Sequence, residues 1–237
     1  MNLYRNTVAS LLTAASLGLA GPVSAAQSTT WNFNVYLDDR EIGYHRFEVS
    51  WGEEVTEVRS EAEFAVKILF LNAYKYSHDL SEAWSGNCLA RIDAETDSNG
   101  DYSRVAGVVG DDGFTVSSGG ETMTLPGCVS SFAYWNPAFL NADKLLNSQT
   151  GQYTPASVVD SREDVLSIGG EEIRARRVTL AAGERPIQLW YRADDGAWLQ
   201  LQTTAAKGRE LRYSLDVAPP QNAVPAQRLA DALDTLR

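Results

Sequence analysis

Apolar and polar residues alternate along most of the chain, a period of two that is typical of β-strands buried on one face. The clearest case begins at Glu57, after which charged and mainly apolar positions alternate. One face would carry Val58, Ser60, Ala62, Phe64, Val66 and Ile68, and the other Glu57, Arg59, Glu61 and Glu63. This pattern predicts an antiparallel sheet with one dry and one solvated face.

Strands of this kind are predicted from Trp31 to Asp216, separated by turn-forming residues. Asn99-Gly100 is a strong hairpin signal, because both residues accept the positive φ angles of a type I′ turn. The alternation stops at Asn136-Pro137, an N-cap followed by a favourable first helical residue. Helical spacing then continues to about Asn147, through Phe139, Leu140, Leu145 and Leu146. We therefore predict a mainly β fold: a strongly curved antiparallel sheet or open β-barrel with one short inserted helix.

The two ends of the chain differ from the middle. Residues 1–25 combine a positive start, an apolar run and small residues at Val23-Ser24-Ala25, which predicts a signal peptide cleaved after Ala25. The predicted protein is then soluble, without a transmembrane or lipid anchor, and periplasmic or secreted. One β domain would occupy residues 26–218. A tail, residues 219–237, opens with Pro219-Pro220 and carries a helical leucine stripe at Leu229, Leu233 and Leu236.

Charge and cysteine content narrow the functional classes. The formal net charge is −11, which disfavours binding to nucleic acid or to anionic membranes. Cys88 and Cys128 are the two cysteines, and in an oxidising compartment such a pair predicts a disulfide. The chain-entropy model gives a loop of this length roughly 4 kcal/mol of stabilisation.

The segment from Tyr74 to Trp84 contains the strongest candidates for functional side chains. As a strand it places Tyr76, His78, Glu82 and Trp84 on one aromatic face, directed inward. As a helix it would bring His78 and Glu82 one turn apart, a spacing that can chelate a metal. The aromatic alternation favours the strand, in which residues four apart are separated by about 13 Å. His45 also lies on an apolar face, so His45, His78 and Glu82 could converge inside a barrel.

Recognised catalytic motifs are missing from the sequence, among them the GxSxG elbow, HExxH and the glycine-rich phosphate and dinucleotide loops. We predict no metal and no cofactor, and enzymatic activity is uncertain, with non-catalytic roles favoured. The six tryptophans lie on or beside predicted strands or the helix start, where they either fill a core or line a cavity for an apolar ligand. The candidate ligand-binding residues are Tyr76, His78, Trp84, Trp135 and Trp190.

Several motifs resemble those of a family of exported β proteins of unknown function. They are an LWY strand at Leu189-Trp190-Tyr191, a G-x-W strand at Gly196-Ala197-Trp198 and a G-R-x-x-x-Y strand from Gly208 to Tyr213. Tyr76-Ser77-His78, Glu82-Ala83-Trp84, Tyr134-Trp135-Asn136-Pro137 and the run Leu145–Gly151 resemble further motifs of that family. The resemblance implies an open, curved half-barrel similar to that of periplasmic lipoprotein carriers, which shelter acyl chains; it assigns no catalytic residue.

Three functions are compatible with these observations. The favoured hypothesis is a periplasmic protein that binds or shuttles a hydrophobic, lipid-like ligand in a β-barrel cavity. The second is a hydrolase-like envelope enzyme that uses His78 with Glu82 or His45. The third is an envelope assembly factor with a fully packed barrel and a protein partner in place of a ligand.

Overall fold

The computed structural model describes residues 27–68 and 71–225, and the side chains of residues 67, 68 and 71–73 are not described. The predicted signal peptide and the leucine stripe at Leu229, Leu233 and Leu236 lie outside these residues. Fourteen strands are described, in chain order: β1 Gln27–Leu37, β2 Arg40–Trp51, β3 Val55–Ile68, β4 Leu71–Ser85, β5 Cys88–Ser98, β6 Asp101–Gly110, β7 Gly113–Ser118, β8 Glu121–Leu125, β9 Lys144–Leu146, β10 Tyr153–Ile168, β11 Glu171–Ala182, β12 Ile187–Arg192, β13 Trp198–Thr204 and β14 Glu210–Leu215.

All fourteen strands belong to one antiparallel sheet, and neighbours in sequence are mostly neighbours in space. The order across the sheet is β8-β7-β6-β5-β4-β3-β2-β1-β14-β13-β12-β11-β10-β9. Pairing of β1 with β14 joins the two ends of the domain, with Phe33 opposite Leu215. The sheet does not close, since β8 and β9 are its edges. This open curved sheet confirms the predicted fold class.

The period-two pattern explains which face is inside. Trp31, Phe33 and Val35 of β1 are completely buried, whereas Thr30 and Asn32 between them are exposed. The outer faces of β2 to β5 carry rows of charge instead: Arg46, Glu48, Arg59, Glu61, Asp79, Asp93 and Glu95 line one shallow depression there. Burial of the apolar face supplies the main driving force for folding.

Two places in the sheet require an unusual backbone conformation: the turn between β5 and β6, and the close approach of β2 to β3. Asn99 and Gly100 have φ angles of 59° and 96°, the conformation predicted from the Asn-Gly pair. Gly43 has a φ of 151°, and a Cβ built there would lie 1.9 Å from the carbonyl oxygen of Glu63 on β3. Only glycine permits β2 and β3 to approach this closely.

The segment between β8 and β10 covers the inside of the open sheet. It begins with Cys128, which is disulfide-bonded to Cys88 as predicted. The expected helix is shorter than predicted: a 3₁₀ helix spans only Pro137–Asn141, capped by the Asn136 side chain, which accepts a bond from Ala138 N. Leu145 and Leu146 belong to β9, because their backbone pairs with Thr154 and Tyr153 of β10. Both faces of this short strand are covered, so two consecutive leucines are buried and their spacing resembles that of a helix.

The loop at residues 147–152, the seam loop, connects β9 to β10 and contacts β6 and β7 on the other side of the opening. The Ser103 hydroxyl on β6 donates to the carbonyl of Gln149, and the Ser118 hydroxyl on β7 donates to that of Thr150, both at 2.9 Å. Gly151 lies so close to β7 that a Cβ there would approach Ser118 Cβ to 2.4 Å. These contacts fasten the open side where strand pairing is missing.

The residues after β14 fold back against the sheet. The buried Arg192 guanidinium bonds the Asp195 carboxylate at 2.8 Å and the carbonyls of Pro219 and Pro220. The same carboxylate accepts a bond from Asn222 N, and Ala223 and Val224 are buried. The start of the predicted tail is therefore part of the domain's core at this end.

Candidate functional site

The inner faces of β3 and β4 become more exposed toward one end of the half-barrel, whereas on β2 the partly buried His45 lies between the buried Ile42 and Phe47. Near the other end, Trp51, Val58 and Trp84 are 6%, 1% and 0% exposed. Further along the same faces, His45, Phe64 and Tyr76 are only partly buried. The concave side of the sheet therefore has a closed end, filled by side chains, and an open end lined by aromatic residues.

Five rings at and just behind the open end form one connected cluster, which we call the aromatic wall: His45, Phe64, Tyr76, His78 and Tyr213. The Phe64 and Tyr76 rings are stacked, with centroids 5.0 Å apart. His45 and Tyr213 lie 5.5 Å apart, and Tyr76 and His78 6.3 Å. Each residue occupies an inward position of its strand, so strand alternation in β2, β3, β4 and β14 assembles the wall.

His45 is held in the wall by two hydroxyl groups. Its Nε2 lies 2.6 Å from Ser60 Oγ and its Nδ1 3.4 Å from the Tyr213 hydroxyl. Loss of hydration, together with a smaller effect of the nearby His78, lowers the pKa of His45 to about 3. The ring is therefore neutral at pH 7.

His78 contacts two hydroxyl groups on opposite sides of its ring. Its Nδ1 lies 2.8 Å from Thr96 Oγ1 on β5, and its Nε2 lies 3.3 Å from Ser148 Oγ in the seam loop. Burial lowers the pKa of His78 to about 4. In the tautomer that donates from Nδ1 to Thr96, the neutral Nε2 can accept the Ser148 proton, a contact available to a serine nucleophile and its base.

Glu82 faces inward on the same strand but has other partners. The Ser131 hydroxyl donates to Glu82 Oε1 at 2.7 Å, and Trp84 Nε1 donates to Oε2 at 2.9 Å. Burial raises the pKa of Glu82 to about 7 against the effect of these two bonds. Glu82 shares no hydrogen-bonding partner with His78, since four strand residues separate them by about 13 Å. His78 is thus close enough to lower the pKa of His45, whereas Glu82 has different hydrogen-bonding partners.

The tryptophans predicted to bind ligand lie in two different places. Trp84 and Trp135 pack edge to face at 5.6 Å within the closed end, and both are almost wholly buried. Trp190 lies on the face opposite to its inward neighbour Leu189, where its Nε1 donates to Asp164 and its ring lies beneath the Arg177 guanidinium. Of the five predicted ligand-binding residues, Tyr76 and His78 alone belong to the aromatic wall.

Sequence reasoning missed the hydroxyl partners of the two histidines. Ser60 and Tyr213 occupy inward positions of alternating strands, so their periodicity could have indicated them. Ser148 lies in the seam loop, 70 residues from His78, and no local pattern indicates that contact.

Within residues 27–68 and 71–225, no group of three or more histidine, cysteine or acidic side chains is arranged to hold a metal ion. Across the same part of the chain, no helix has the length and apolar character needed to cross a bilayer.

Comparisons with known proteins concern both the fold and the family of this chain. Among solved structures, the crystal structure of a beta-barrel-like protein of Domain of Unknown Function DUF1849 from Brucella abortus is similar in fold: the TM-score is 0.55 at 10% sequence identity, over 83% of this chain and 99% of that chain. No curated protein matches the chain at a significant level. The sequence profile of the family described as Domain of unknown function (DUF6134) matches residues 33–216, from within β1 to the residue after β14. Since that match includes every residue of the aromatic wall and most of the chain, the protein belongs to the DUF6134 family.

Proposed function

We propose that the protein binds a hydrophobic, lipid-like ligand at the open end of the half-barrel, against the aromatic wall. The observation that carries this proposal is the exposure gradient on β3 and β4: Phe64 and Tyr76 continue the apolar core, yet remain partly exposed. Concave, largely aromatic surfaces with a few fixed polar groups are the usual form of a ligand site. The disulfide and the export-type sequence at the N-terminus support a periplasmic or secreted location, where such a ligand would be carried.

The partly exposed Phe64 offers a sharper test than the buried tryptophans. Trp84 and Trp135 fill the closed end, so replacing either would also damage the fold. Phe64→Asp should remove the apolar contact surface and weaken retention of a co-purifying apolar molecule roughly tenfold or more, given about 1.5–3 kcal/mol for burying such a side chain. The measurement is native mass spectrometry of the secreted full-length protein, with organic extraction of the bound fraction.

The matched control is Glu63→Ala, one residue away on the outer face. It should retain the bound mass at the wild-type level, because its side chain points to solvent. Wild-type protein that carries no apolar molecule and takes up none from mixed lipid vesicles would contradict the proposal. That result would favour an envelope assembly factor with a protein partner.

One contact favours a second candidate, an ester hydrolase. Ser148 Oγ would bond to the acyl carbon and pass its proton to His78 Nε2; the alcohol would leave with that proton, and water would then release the acid. Thr96 would orient the ring. This arrangement uses His78 of the predicted set with Ser148, in place of Glu82 or His45.

The second candidate predicts a serine-dependent activity. Ser148→Ala should reduce hydrolysis of p-nitrophenyl butyrate by the full-length protein at least about a hundredfold, since the nucleophile is lost. Ser103→Ala, which removes a different seam-loop hydrogen bond, should hydrolyse the ester at the wild-type rate. An equal rate in the Ser148→Ala and wild-type proteins, or no hydrolysis by wild type, would rule this candidate out.

A further inference from the structure

Six polar aromatic side chains face the interior behind the open end. This set, the polar layer, consists of His45, Tyr76, His78, Tyr134, Tyr191 and Tyr213. Tyr134 is linked to this set through Trp198: the two rings lie 5.3 Å apart, and Trp198 is paired with Tyr191 across β12 and β13. The layer therefore joins the segment that crosses the inside of the sheet to strands β2, β4, β12 and β14.

Every member of the polar layer is uncharged at pH 7. Burial lowers the pKa values of His45 and His78 to about 3 and about 4. Burial also raises the pKa values of the four tyrosines above their ordinary value. The layer offers hydroxyl and imidazole hydrogen bonds with no formal charge.

Among the described residues, no buried basic side chain is free to neutralise an anion inside the polar layer. Arg192 is the one buried lysine or arginine among the described residues, and its guanidinium is already bound to Asp195 and two prolyl carbonyls. A carboxylate or phosphate moved into the layer would lose its hydration without gaining a cation, which strongly disfavours its binding there. An uncharged hydroxyl or carbonyl group incurs a much smaller cost and can be hydrogen-bonded.

One hydroxyl of the layer points to a hydrogen-bonding guest. Tyr191 is completely buried, and its hydroxyl makes no hydrogen bond to another described atom. A buried polar group of this kind lowers stability unless it is paired. The hydroxyl can donate to an acceptor and accept from a donor, so its natural partner is a small uncharged polar group.

We propose that the polar layer receives the uncharged head of an amphiphile, such as an alcohol, ester or ketone with an aliphatic tail, and discriminates against anionic lipids. This inference rests on the proposed function and adds the class of ligand. The head enters first and bonds within the layer, while the tail lies along Phe64 and Tyr76 toward the open end.

Two probes with the same acyl chain test the discrimination. 1-Oleoylglycerol has an uncharged head and oleate an anionic one, so binding of each to the full-length protein is measured by tryptophan fluorescence at pH 7.5, below the aggregation concentration of either probe. The expected result is at least about tenfold tighter binding of 1-oleoylglycerol. Equal or tighter binding of oleate would overturn the inference and leave the proposed function standing. Binding of neither probe would contradict both.

Tyr191→Phe tests the placement of the head. Because the hydroxyl has no partner in the described part of the chain, the ligand-free variant should be at least as stable as wild type. Its affinity for 1-oleoylglycerol should nevertheless fall about fivefold, the effect of one lost hydrogen bond. Tyr36→Phe on the outer face, where Tyr36 lies beside Arg212, should bind as wild type does. Unchanged affinity of the Tyr191→Phe variant would overturn the placement of the head in the polar layer.

Discussion

Arg192→Met is expected to lower the free energy of unfolding by about 3–5 kcal/mol, the cost of removing one partner from a buried ion pair. The Arg192 and Asp195 side chains are each 4% exposed. Without the guanidinium, the Asp195 carboxylate stays buried with only the amides of Ala197 and Asn222 as donors. Urea unfolding followed by tryptophan fluorescence measures the loss.

Arg174→Met is the matched control, because Arg174 bonds Asp194 at 2.7 Å but the two side chains are 77% and 59% exposed. Solvent screening limits such a pair to about 0–1 kcal/mol. The same reasoning predicts that adding Asp195→Asn to Arg192→Met recovers stability, since it removes the uncompensated charge. Equal effects of the two arginine substitutions would show that burial of the Arg192–Asp195 pair has no energetic consequence.

Loss of Arg192 should also release the segment after β14. Arg192 bonds the carbonyls of Pro219 and Pro220, and this contact helps to hold Ala223 and Val224 in the core. Limited proteolysis of the Arg192→Met variant should therefore cut within residues 218–225 before the sheet unfolds. The same segment should stay resistant in the Arg174→Met variant.

Glu82→Gln is expected to stabilise the protein at alkaline pH. Burial raises the pKa of Glu82 from 4.5 to about 7, so the folded state binds this proton more tightly than the unfolded state does. Stability therefore falls as pH rises from 4.5 through 7. A glutamine carries no charge and keeps both contacts, accepting from Trp84 and donating to Ser131. The variant should exceed wild type by roughly 3 kcal/mol at pH 8.

The pH dependence of this difference is the decisive feature. The gap between Glu82→Gln and wild type should shrink as pH falls and approach zero near pH 4.5. His45 and His78, whose pKa values are lowered, destabilise both proteins equally below about pH 6.5, so their effect cancels in the comparison. Glu57→Gln, at an exposed position of β3, should show no pH-dependent gap. A pH-independent difference, or a less stable Glu82→Gln variant at pH 8, would contradict the prediction.

Local sequence patterns predicted the strands well because side-chain alternation is a local property. Val58, Ser60 and Ala62 are buried as the period of two predicts, with 1%, 5% and 1% exposure. The same rule failed where burial and backbone pairing are set by distant residues. Leu145 and Leu146 follow helical spacing, yet they pair with β10 and are enclosed on both sides.

The candidate site was only partly predictable for the same reason. His45, Tyr76 and His78 were identified from their inward positions, but alternation cannot say how two faces of a curved sheet meet. Trp190 was grouped with them on its aromatic character alone, whereas strand β12 directs it to the opposite face. The Ser148–His78 contact depends on how the seam loop crosses the open edge, which is a property of the whole sheet.

The fold class and the inward faces of the strands follow from residue type and short-range periodicity, and the Cys88–Cys128 pairing follows from the presence of two cysteines in the sequence. The open part of the inward faces, the hydroxyl groups that reach the two histidines and the position of the buried Glu82 carboxyl group depend on the tertiary structure. These properties depend on strand register, sheet curvature and the path of the segment between β8 and β10. Contacts among residues distant in sequence fix all three, so no local pattern records them.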